Sequence, residues 1–117
     1  MVGGNAISRT GQVWQLRHGH ELLGELVVTD GDFPWLNGTF SATDAFGPWR
    51  DAFDNELRLL EEIDDHVERW EAAYRRIDEN LTLHDHTGEP VAGFLLHIED
   101  DRAWWRWSDE PFPSDQT

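Results

Sequence analysis

The stretch V-A-G-F-L-L-H-I-E-D-D-R-A-W-W-R-W, residues 91–107, limits the folds open to this chain more than any other. A β-strand sends successive side chains to opposite faces, so Trp104, Trp105 and Trp107 cannot all look the same way. Asp100-Asp101 mark the tip of a turn. Folding the two arms together about that tip sets Leu96 opposite Trp105, Phe94 opposite Trp107 and Ile98 opposite Ala103. The large apolar residues of one parity then share a core face. The other parity pairs Trp104 with His97 and Arg106 with Leu95. The preceding segment L-T-L-H-D-H, joined by T-G-E-P, extends the same face when Leu83 lies opposite Phe94 and Leu81 opposite Leu96.

Upstream, V-W-Q-L-R and E-L-L-G-E-L-V-V-T flank H-G-H and read as another hairpin. A three-residue turn over 18–20 sets Leu16 opposite Leu22, Arg17 opposite Glu21 and Trp14 over Gly24. Val13, Leu23 and Val27 then face away from the core. Turn signals at Gly31, Pro34 and Asn37-Gly38 punctuate the next segment, with Leu36 to Phe40 as an optional short strand. Gly47-Pro48 opens a helix carrying Trp49, Phe53, Leu57 and Leu60 on one stripe. A second helix starts near Asp65 with an acidic capping pattern to Glu68. It carries Val67, Trp70, Tyr74 and Ile77, and stops at Asn80.

The expected fold class is α+β: an antiparallel sheet of about five or six strands in the order β-β-(β)-α-α-β-β-β, with two helices packed on one face. Residues 1–117 form one domain, with 1–11 a loose lead-in and 108–117 an extended tail carrying Phe112. No repeat or linker divides the chain.

Composition then narrows the function. The 117 residues include seven tryptophans and six phenylalanines, which argues for a packed core despite a net charge of -15. All nine basic residues are arginine, a bias that a GC-rich or halophilic bacterial or archaeal host would produce. Such acidity excludes direct nucleic-acid binding, which needs clustered cations, and disfavours anionic membranes. Cysteine is absent, so thiol chemistry, disulfides and cysteine zinc sites are excluded. No apolar run approaches the ~20 residues of a membrane span, and no secretory signal opens the chain. A cytoplasmic location is expected.

Three clusters stand out as candidate sites. The first is the second sheet face, with Trp104, Arg106, His97, Leu95 and His84 as partner-binding residues; Trp and Arg are favoured interface anchors. The second is F-P-W-L-N-G-T-F, where Phe33, Trp35 and Asn37 could clamp a ligand, unless Trp35 packs beside Trp49 to close the core. The third is His84-x-His86, with Asp85 and Glu89 nearby, a weak metal candidate beside the plainer reading of solvated histidines.

No nucleophile elbow, phosphate loop, dinucleotide-binding glycine pattern or H-E-x-x-H occurs, and Ser8, Ser41, Ser108 and Ser114 are the only serines. No catalytic residue and no cofactor is assigned. The expectation is a non-enzymatic acidic protein-binding module of immunity-protein, antitoxin or adaptor type, docking a basic partner through the sheet face around Trp104. One alternative is a small-molecule-binding or enzymatic domain with a pocket lined by Trp35, Trp49, Trp70 and Trp107. Another is a homodimer through the same sheet face.

Overall fold

A computed structural model describes residues 10–32 and 35–108, leaving out the side chains of Asp32, Asp65 and His66. The lead-in before Thr10, the tail beyond Ser108, and Phe33-Pro34 lie outside the described residues. The fold is α+β. Strands β1 (Val13–His18), β2 (Glu21–Asp32) and β3 (Trp35–Ala42) precede a 3-10 turn (Asp44–Phe46) and helices α1 (Gly47–Glu61) and α2 (Ile63–Asn80). Strands β4 (Thr82–His84), β5 (Gly93–Glu99) and β6 (Arg102–Ser108) follow. All pairings are antiparallel, in the spatial order β4-β1-β2-β3-β6-β5.

That sheet curls until it nearly closes. Trp14 on β1 meets Trp105 and Trp107 on β6 edge-on at 5.8 and 5.2 Å, although β2 and β3 intervene in the sheet order. The segment leading into β5 is also tied to β4, because the Val91 N–H donates to the Leu83 carbonyl at 2.9 Å. A wide aromatic pair across the interior fills space that aliphatic side chains alone would leave open. Leu16, Leu26, Val28, Leu36, Phe40, Leu83, Phe94, Leu96 and Ile98 complete this core, joined from the helical side by Phe53, Tyr74 and Ile77.

The β5–β6 register is the one the alternation predicts, with Leu96 opposite Trp105 and His97 opposite Trp104. Two other registers differ. The first hairpin turns tightly at Gly19-His20, with Gly19 at a φ of 62°, so that Arg17 pairs with Leu22 and His18 with Glu21. Positive φ is what a two-residue hairpin turn requires. A bulge then inserts Leu23, and Leu16 pairs with Gly24 and Trp14 with Leu26. Leu23 is therefore fully buried rather than outward, and its carbonyl is satisfied by the Thr43 N–H at 2.8 Å. The aromatic ring over Gly24 is Phe40, not Trp14.

The second correction concerns β4, which pairs with β1, placing Leu83 against Leu16 instead of Phe94. Toward β5 it is connected by the His84–Pro90 bridge and the Val91 bond. The optional strand is real and central: β3 lies between β2 and β6.

Helix α1 starts at Gly47, but its buried side comprises Ala52, Phe53 and Glu56, while Leu57 and Leu60 are only partly buried. Helix α2 begins at Ile63, before Asp65, and leaves Val67 48% exposed. Its Tyr74 covers the outer edge of β5: the phenol donates to the Phe94 carbonyl (3.2 Å) and accepts from the Leu96 N–H (2.8 Å). One hydroxyl thereby replaces a missing neighbouring strand.

Candidate functional site around Trp104 and His97

The pairings Asn37–Trp104 and Trp104–His97 put these three side chains in one row across β3, β6 and β5, on the face away from the core. Trp104 is half-buried, as are Trp35, Asn37, Leu95 and Arg106 around it. His97 is different, at 3% exposure. Its ring centroid lies 5.5 Å from Trp104, 5.9 Å from a near-parallel Trp35 and 6.5 Å from Tyr74.

Behind the imidazole stands a group that the sequence reading missed. Glu56, in the middle of α1, has no solvent exposure. One carboxylate oxygen accepts the Trp70 indole N–H at 2.8 Å, and the other lies 2.8 Å from His97 Nδ1. A buried carboxylate needs such partners, because an unpaired one would be costly. Glu56 thus joins α1, α2 and β5 at one point. The available signal was positional: Glu56 follows Ala52 by four residues and Phe53 by three, which places it on the apolar side of the helix. Trp70 and Tyr74 were legible as a stripe but not as polar partners. Burial holds the Tyr74 hydroxyl well above the usual phenol range, the nearby Asp78 and Glu56 adding to the rise and the Leu96 N–H opposing it.

On the other side of Trp104 an open cleft of about 440 Å³ crosses β2, β3 and β6. It is lined by Thr29, Asn37, Gly38, Thr39, Arg102 and Trp104, with Ala103 below. The Asn37 amide donates to Asp30 at 2.7 Å, and the exposed Arg102 lies 3.4 Å from Glu99.

The predicted face is therefore assembled only in part. Trp104, His97, Leu95 and Arg106 come together, and Trp35 and Asn37 join them from the segment read as a ligand loop. Phe33 lies outside the described residues. His84 is on β4, beside Gln15 of β1 and at the far end of the sheet order. Burial first, then Arg17, holds its imidazole below the ordinary histidine range. His86 is exposed in the following turn, where the Asp85 carboxylate accepts from the N–H groups of Thr87 and Glu89. Among the described residues no group of three or more His, Asp or Glu side chains is placed to hold a metal ion.

The four tryptophans read as one pocket are dispersed. Trp35 stacks on His97, Trp70 on Tyr74, Trp107 meets Trp14, and Trp49 sits against His18 and Arg76. A carboxylate on His97 Nδ1 is the arrangement that orients a general base, but here aromatic rings wall the imidazole off from solvent. Among the described residues, no helix is long and apolar enough to cross a membrane. No protein-family description, curated protein or solved structure matches this chain.

Proposed function

We propose that this chain is a non-enzymatic binding module that docks a protein partner through the outward face of β3, β6 and β5. The observation that carries the reading is Trp104: a partly buried indole on the outward face, backed by the His97 ring and bordered by a cleft. A large aromatic seated against a rigid support, with arginine beside it, is the composition of an interface anchor. Leu95, Asn37 and Arg106 supply the mixed surround, and the buried His97 contributes shape rather than contact.

Charge favours a basic partner. At a net charge of -15 the molecule attracts basic proteins over distances of a Debye length. Arg102, by contrast, is offset locally by Glu99. Steering and contact are thus divided between the acidic surface at large and the indole. A cytoplasmic protein that neutralises a basic toxin, in the manner of immunity proteins and antitoxins, is one form this would take; that is an analogy of size and charge.

The test is comparative capture from the source cell's lysate. The wild type should retain a basic protein that Trp104→Ala loses, while Arg69→Ala, on the exposed side of α2, retains it. Equal capture by the wild type and Trp104→Ala, both folded by circular dichroism, would remove the reading.

A further inference from the structure

We infer that Glu56, acting through His97, is a positioning residue that holds Trp104 in its docking orientation, so that helix α1 sets the shape of the sheet face that carries both rings. The inference rests on the reading of Trp104 as a docking residue for its meaning, but not for its geometry.

Three observations support it. First, Glu56 is fully enclosed and both its oxygens are engaged, by Trp70 and by His97. An apolar side chain would fill a helix position beside Phe53 without the desolvation that a carboxylate brings. Second, His97 has its Nδ1 edge on Glu56 while its ring lies between Trp35 and Trp104. Fixing that ring nitrogen restrains the plane against which both partly buried indoles rest. Third, Glu56 with its two partners spans the three elements that meet here. Glu56 comes from α1, Trp70 and Tyr74 from α2, and His97 from the edge strand β5, whose outer side is covered by a helix instead of a strand. A two-ended carboxylate at that junction resists sliding of the helices along the strand.

The test labels the protein with 5-fluorotryptophan and follows the fluorine line of each tryptophan by NMR, assigning Trp104 by its loss in Trp104→Phe. Glu56→Met keeps the side chain's length and removes both hydrogen bonds. Glu56→Gln can retain them, because a neutral imidazole can accept from the new amide by changing tautomer. In folded Glu56→Met the Trp104 and Trp35 lines should shift and broaden while Trp49, which touches neither partner, stays in place. Glu56→Gln should restore most of the native pattern. Partner affinity should fall on the order of tenfold in Glu56→Met, the scale of coupling through a supporting residue.

A Trp104 line unmoved in Glu56→Met, with only Trp70 affected, would overturn the inference and leave Glu56 as a clamp between the helices. Should Glu56→Met fail to fold, Trp70→Phe, which removes one of the two bonds that hold Glu56 and leaves the His97 and Trp104 rings in place, decides the same question by the same line. A shifted Trp104 line with partner capture indifferent to Trp104→Ala would leave the positioning role standing and remove the docking reading instead.

Discussion

Tyr74 shows how much one hydroxyl can hold at the residue scale. It satisfies both a buried donor and a buried acceptor on the edge of β5, and leaving such groups unpaired costs about 1–3 kcal/mol each. Tyr74→Phe should therefore lower the urea midpoint of unfolding by an amount equivalent to about 2 kcal/mol, with the ring's packing unchanged. The same residue predicts an alkaline limit. Its ionisation is raised in the folded state, so the contribution is fully present below the unfolded value of 10.0 and falls away as pH rises toward the folded value. Tyr74 is the chain's single tyrosine, which lets tyrosinate absorbance report on it alone. Absorbance and loss of near-ultraviolet dichroism should rise together in strong base. Ionisation well before unfolding would show the phenol to be accessible.

Elements were legible where one face is plainly apolar, whereas of the three registers read from the sequence only that of β5–β6 was. Alternation about Asp100-Asp101 placed Trp105 in the core and Trp104 on the other face, because that hairpin carries its own turn and an unbroken period of two. The first hairpin hid a bulge, since Leu22-Leu23 offers two adjacent leucines and local pattern cannot say which is the inserted one. The β4 partner was illegible for a different reason. Its neighbour β1 is some 65 residues distant in sequence, and no turn links them. The site suffered similarly: Glu56 reads as one acid among many until α1 meets β5.

Glycines that look like turn punctuation proved to be packing requirements. A Cβ at Gly38, in the middle of β3, would lie 2.2 Å from the Val27 carbonyl oxygen and 3.2 Å from the Trp105 ring. Two strands and the largest core side chain converge there, so nothing near can yield. Gly38→Ala should destabilise by about 3 kcal/mol or more, whereas Gly47→Ala, which meets open space at the start of α1, should be close to neutral. Comparison of their thermal midpoints checks the pair, and a mild Gly38→Ala would mean that β3 does not run through the sheet as described.

For the whole molecule, charge acts on the fold and on encounter with opposite signs. The acids outnumber the arginines by 24 to nine, so compaction brings like charges together, a repulsion that weakens the folded state. An exposed pair such as Arg102–Glu99, at 3.4 Å, offsets little of it. Salt should therefore stabilise this protein. The screening length falls from about 30 Å at 0.01 M to about 3 Å at 1 M. Over that range in sodium chloride the thermal midpoint should rise by about 4 °C or more, the shift that roughly 1 kcal/mol gives in a domain of this size. Chloride is the informative anion, because sulfate would add its own exclusion effect. A midpoint that fell with salt would mean attractive pairs dominate and the acidity is balanced locally. The same salt series run on partner capture should show weaker binding as the fold strengthens, because screening removes the steering field and the repulsion together. Opposite slopes from one molecule would identify the acidity as a cost to folding that is tied to recognition, while parallel slopes would assign it to the fold alone.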